Sequence, residues 1–266
     1  MNVHRQLLFV VFVAMLMLLG CKNNITHSAS YGKAYEVVVI NDIDSLLYNT
    51  LSVPMKGLPQ IEPTFDVVEI TSDKLKGDSK LVRNIVVLTI DKRQKRVDIS
   101  SKQNVYAQPQ VIINIVAPSQ SSLQIFLKKY GNELRNYLIK TELHRAQGDI
   151  ARQTNMKAAS TIYKMFGIRM QVPPELTTSK VGKNFLWLSN NASSGMVNLC
   201  IYSIGKGKFA QERDSVMRKN ILGEQKGMYM RTASIVSMVH GKYNSVTIRG
   251  LWEMQNDAMG VPFVAY

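Results

Sequence analysis

Residues that bind metals or carry covalent intermediates are scarce in this chain. Four histidines and two cysteines are spread over 266 residues, and no pair of histidines has the H-x-x-x-H spacing that puts two imidazoles on one helical face. Beyond the N-terminal leader, His27, His144 and His240 stand far apart. Each is expected to be exposed or hydrogen-bonded, and no metal or other cofactor is expected. Cys21 and Cys200 allow at most one bridge, which excludes a disulfide-built scaffold. Cys200 lies between Leu199 and Ile201 and reads as a buried, inert thiol. No G-x-S-x-G, S-x-x-K or paired glycine-rich dinucleotide motif is present. Gly205-Lys206-Gly207-Lys208 lacks the spacing of a phosphate loop and is followed by Phe209, so a basic hairpin or helix-opening turn is expected. Glu253 and Asp257 are close in sequence, but nothing sets them apart from turn-capping carboxylates. No catalytic residue is therefore assigned.

Long apolar runs are equally rare, and the one present lies at the start. Residues 7–19 are thirteen consecutive apolar residues behind Arg5, followed by Leu18-Leu19-Gly20-Cys21. Thirteen helical residues span only ~20 Å, short of a ~30 Å hydrocarbon core, which favours an export signal over a permanent anchor. The tetrapeptide resembles the lipobox of bacterial lipoproteins, which implies acylation of Cys21 and cleavage before it. Residues 1–20 are thus expected to be a signal peptide, 21–30 a polar tether, and 31–266 an α+β domain with a weak boundary near Gly148. No aspartate follows Cys21 and no acidic run follows the tether. The expected address is the periplasmic face of the outer membrane.

Acidic residues are the other deficit, at 19 against 33 basic ones. The imbalance is uneven: residues 22–120 hold 12 basic and 10 acidic groups, whereas residues 121–266 hold 20 and 9. The field of the second part points to an anionic lipid, lipopolysaccharide or peptidoglycan. Aromatic residues mix with basic ones around 185–187 and at Trp252, yet export argues against nucleic acid. At 45% hydrophobic and 20% charged, the chain is globular, neither disordered nor multispanning.

Periodicity gives the elements. Residues 35–40 (YEVVVI) form a β-branched run suited to a strand covered on both faces. Asp42 is expected to cap a short helix through Leu46, Leu47 and Leu51. Strands are expected at 65–70 and 84–90, the latter forming a hairpin with 97–100 around the basic turn DKRQKR, and another at 110–117. Leu123, Phe126, Leu127, Tyr130, Leu134, Tyr137 and Leu138 lie on one stripe of a helix over 122–146, capped by Ser119 or Ser121. A further helix is expected over 149–166, stopped by Gly167. Strands at 168–172, 185–189 and 196–204, a helix at 209–222, and hairpin-spaced strands at 229–239, 245–254 and 261–266 complete the reading. The fold class is α+β: mainly antiparallel sheets with packed helices, and a long helical segment in the middle of the chain.

Several segments carry a family likeness: YGKAYEVVV at 31–39, GLPQ at 57–60, FDV at 65–67, RNI at 83–85, APS at 117–119, NFLWLSN at 184–190, YMRT at 229–232 and GLW at 250–252. From Cys21 to the end, the chain resembles an uncharacterised Bacteroidota lipoprotein family, domain of unknown function 4837. The resemblance implies no activity or catalytic residue. It implies a strand and helix beyond Tyr266 that this chain lacks, and a glycine where Val261 stands. The expected function is a non-enzymatic binding or structural role for a lipid-anchored envelope protein, with the membrane, through lipidated Cys21, and an envelope protein as partners. The alternative is an envelope hydrolase or transferase assembled only in three dimensions, with Glu253, Asp257 and His240 as its nearest candidates.

Overall fold

Strands without a polar face must be covered on both sides, and the first half of the chain is built around three of them. The computed structural model describes residues 27–56, 58 and 60–266, so residues 1–20 and Cys21 lie outside the described residues. In chain order the first half holds β1 (Ser28–Ala29), β2 (Glu36–Ile40), α1 (Leu46–Leu51), β3 (Asp66–Ile70), β4 (Asn84–Ile90), β5 (Asp98–Gln103), β6 (Ala107–Gln108), β7 (Val111–Ala117) and α2 (Gln120–Arg152). Five of the strands form one sheet in the order β3-β2-β4-β7-β5. The pairs β2–β3, β2–β4 and β4–β7 are parallel, and β5 runs antiparallel to β7. Val37, Val39, Val86, Leu88, Ile113 and Ile115 face α1 and α2, packing on Leu47, Leu51, Leu123, Leu127, Leu134 and Leu138. Alternate residues Val38, Ile40, Ile85 and Ile112 face the other way, where Val82 and Leu75 cover them from the β3–β4 crossover.

The expected hairpin between residues 84–90 and 97–100 does not form. Instead β7 lies beside β4 along its whole length, Asn84 opposite Val111 through Ile90 opposite Ala117, and β5 pairs with the far side of β7. Burial decides this: the interior position beside β4 goes to the apolar strand VIINIVA, whereas all six residues of β5 are exposed and suit an edge.

Local signals hold where the chemistry is local. The Asp42 carboxylate accepts from the backbone N–H groups of Leu47 and Tyr48 at 3.1 and 2.8 Å, satisfying donors of α1's first turn. The Ser119 hydroxyl caps α2 by accepting from Ser122 N at 3.2 Å. The helix overruns its expected end, stopping at Arg152, and α3 (Met156–Phe166) starts after the Asn155 cap. Gly167, at φ 69°, closes α3 in the left-handed region.

The second half adds β8 (Thr178–Gly182), β9 (Phe185–Ser189), β10 (Asn198–Tyr202), α4 (Phe209–Asn220), β11 (Met230–His240), β12 (Val246–Met254) and β13 (Gly260–Ala265). These make two antiparallel sheets, β10-β9-β8 and β11-β12-β13. The protein is α+β, antiparallel in its second half and mixed in its first, with the long helix between. The expected strand at 168–172 is absent: that segment is a loop whose Val172 carbonyl accepts from Asn155 N at 2.9 Å, and Pro173-Pro174 behind it offers no ladder donors. β8 escaped the sequence reading because TSKVG is polar and four of its five residues are exposed. Val261 is an ordinary strand residue opposite Trp252, a conformation that asks for no glycine. Gly250 is the restricted position, since a Cβ there would lie 2.4 Å from the Ser234 carbonyl oxygen.

Gly131, inside α2, is where α1 crosses closest: an added Cβ would lie 2.7 Å from Thr50 Cγ2. Gly131→Ala gains about 1 kcal/mol of helix propensity but meets a stiff β-branched methyl, and overpacking costs about 1–3 kcal/mol. The variant should therefore lower the urea midpoint in wild type and raise it in a Thr50→Ala background.

Candidate functional site

The apolar stripe of α2 serves two purposes. Leu123, Leu127, Leu134 and Leu138 are buried in the core, while Phe126, Tyr130 and Tyr137 lie beside them, with Tyr130 and Tyr137 41% and 38% exposed. These rings form one wall of a cavity of about 450 Å³; β5 forms the other through Ile99, Ser100 and Ser101, and Ile113 lies at its floor. Ile99 pairs with Ile115 and Ser101 with Ile113, which puts both on the helical face of the sheet. The Tyr137 hydroxyl and Ser101 Oγ are 3.2 Å apart and tie the two walls together. Phe126 and Tyr130 stack tilted at 5.1 Å, and the Lys129 ammonium sits 4.9 Å from the Tyr130 ring centroid. Glu133 is the one charged residue in the lining. Such a surface binds by apolar contact and hydrogen bonding; its lining holds no nucleophile paired with a base.

At the opposite end of the sheet a charged cluster holds α2 in place. Glu142, 2% exposed, takes Arg83 Nη2 at 2.8 Å and Arg145 Nη1 at 2.7 Å. Asn84 Nδ2 donates to the same carboxylate at 2.7 Å and to the Glu36 carbonyl at 2.8 Å. Burial lowers the Arg145 pKa, and Glu142 opposes that shift. Nearby, burial and the Glu142 charge raise the Tyr35 hydroxyl, with Arg249 pulling the other way. Sequence reasoning missed this cluster: Glu142 and Arg145 share an ordinary i,i+3 helical spacing, and Arg83 and Asn84, which complete it, lie 59 and 58 residues before Glu142. In the second half, Arg213, 3% exposed, bonds Asp214 and Thr232 and lies 4.4 Å from the Phe263 ring, pinning α4 to β11 and β13.

The residues singled out from the sequence do not converge. His144 and His240 are exposed. Glu253 pairs with Arg231 across the β11–β12 ladder, while His240 stands at the far end opposite Val246; at ~3.3 Å per residue they are separated by roughly 20 Å or more along the strand. Asp257 lies in the β12–β13 turn, its carboxylate accepting from Ala258 N. Gly205-Lys206-Gly207-Lys208 is a helix-opening turn ahead of α4, with the Gly205 N–H donating to Glu212 Oε2 at 3.0 Å. A side chain of the protein thus occupies the place a phosphate would need. Four of the cations after residue 121, Arg145, Arg152, Arg213 and Arg231, are engaged in ion pairs. Among the described residues no group of His, Cys, Asp and Glu is placed to hold a metal ion, and no helix is long and apolar enough to cross a membrane.

Residues 155–266 match the family described as Domain of unknown function (DUF4837), and residues 30–151 match a second, Domain of unknown function (DUF8532). The first family's likeness therefore covers the segments from 184 onward, while those between 31 and 119 fall in the second match. The two matches meet at the break between α2 and α3. No curated protein and no solved structure matches the chain.

Two outcomes test this description. Glu142→Gln leaves two largely buried guanidinium groups uncompensated and should cost about 3 kcal/mol or more, read as a lower urea midpoint at unchanged slope. Burial pushes the Cys200 thiol up to about 11. In a Cys21→Ser background, where Cys200 is the sole thiol, alkylation at pH 8 should run about a hundredfold slower than for an ordinary cysteine and accelerate tenfold per pH unit up to about pH 11.

Proposed function

We propose that the protein is an exported lipoprotein of the Bacteroidota type, held by acyl chains on Cys21 at the periplasmic face of the outer membrane, with a non-enzymatic binding role. The observation that carries the anchor is Leu18-Leu19-Gly20-Cys21 at the end of a thirteen-residue apolar run. At about 0.8 kcal/mol per buried methylene, two or three acyl chains hold a protein on a membrane essentially permanently. The binding role is supported by the cavity between α2 and β5, an apolar surface with hydroxyl groups and no catalytic pair in its lining. The excess of basic groups after residue 121 favours a setting rich in anionic lipid, lipopolysaccharide or peptidoglycan. A hydrolase or transferase is the weaker reading, since Glu253, Asp257 and His240 share no cleft.

Metabolic labelling with a fatty acid followed by fractionation tests the anchor. Wild type should be labelled and sediment with membranes, whereas Cys21→Ser should take up no label and remain as precursor or become soluble. Equal labelling of the two forms would rule out the lipoprotein assignment.

A further inference from the structure

We propose that β5 and the cavity beside it receive an extended peptide strand with alternating apolar side chains and an acidic C-terminal end. The proposal rests on the reading of the protein as a binding module and not on its anchor.

Three observations lead to this occupant. First, β5 is a sheet edge: among the described residues it pairs only with β7, in six consecutive positions without a shift, so its outer N–H and C=O groups are free to form a ladder. Three other edges are worse templates. β11 carries two register shifts, β13 contains Pro262, and β3 presents Asp66 and Glu69 as exposed carboxylates. On β5 the charges sit towards the ends, at Asp98 and Lys102, and residues 99–101 between them have none.

Second, the groove lies on the correct side. A strand added along β5 points every second side chain to the helical face, where Ile99 and Ser101 already face Phe126, Tyr130 and Tyr137. The space of about 450 Å³ suits a few such side chains. Glu133 at the rim favours a hydroxyl or amide there over a second carboxylate.

Third, the charge is directional. The turn leading into β5 exposes Lys92, Lys95 and Arg96, while Arg93 is engaged by Asp91 at 2.8 Å. A strand antiparallel to β5 ends at this turn, so its C-terminal carboxylate and any acidic residues there meet three unpaired cations.

The test uses the detergent-solubilised full chain and a labelled octapeptide that alternates valine and threonine and ends in aspartate and glutamate. Anisotropy should show saturable, salt-sensitive binding, weakened at least about tenfold when the two acidic residues are replaced by lysines. Amide exchange of residues 98–103 should slow on binding. Lys92→Glu combined with Lys95→Glu, both on an exposed turn, should abolish the preference for the acidic end while leaving the urea midpoint near wild type. Tyr130→Ser should weaken both peptides. Equal binding of the two peptides to wild type, or unchanged exchange in β5, would overturn the proposal. So would a fluorescent fatty acid that fills the groove while the peptide does not bind. None of these readouts depends on acylation of Cys21, so a failure here is distinct from a failure of the lipoprotein reading.

Discussion

The burial of β2, β4 and β7 on both faces governs the first half of the molecule. Valine and isoleucine on alternate sides of these strands leave no face for water, so the chain must supply two layers of cover. Helices α1 and α2 provide one, and the crossover through Val82 and Leu75 provides the other. Everything else near the sheet follows from the positions left over. The acidic β3 and the polar β5 become edges because they cannot be interior, and α2, long enough to run past the sheet, needs a fixed point at its far end. The Arg83–Glu142–Arg145 cluster is that fixed point. Ion pairs of this kind contribute little net stability against an apolar replacement, yet they penalise a helix that slides along its axis.

The second half is organised more lightly. Its main cluster, Ala158, Ile162, Val172, Leu176, Leu186 and Leu188, draws nothing from before residue 155, and the clusters of the first half draw nothing from after it. α4 reaches its sheet through Arg213, whose guanidinium lies over the Phe263 ring while its donors meet Asp214 and Thr232. One short link, residues 153–155, connects the two halves, and Asn155 serves both as the cap of α3 and as a clamp on the loop at 172–176.

What the sequence revealed was chiefly what neighbouring residues decide among themselves. Asp42, Ser119 and Gly167 mark helix ends by chemistry confined to one turn, and each does so in the structure. The strand at 84–90 was legible as a continuous apolar run and the helix through Leu123 and Leu138 by its periodic stripe. Pairing was not legible, since β7 displaces the local partner of β4 by burying more apolar surface across a longer span. The groove was hidden for a subtler reason: Phe126, Tyr130 and Tyr137 share the periodicity of the leucines, and Tyr130 and Tyr137 stay part-exposed where the sheet ends at β5. The burial of Glu142 was not legible, because beyond Arg145 on the same helix its partners, Arg83 and Asn84, come from β4 and the residue before it.

The sheet order carries a kinetic consequence. β5 is made before β7 but cannot take its place until β7 has inserted between it and β4. Meanwhile the chain holds two strands joined by a polar turn, which close into a hairpin within microseconds, well before a parallel crossover can assemble. A β4–β5 hairpin is thus the contact nearest in sequence, and it is a non-native one that the finished sheet order excludes. Since all six residues of β5 are exposed, that pair would bury little, and the polarity that makes β5 an edge also leaves the place beside β4 to the apolar β7.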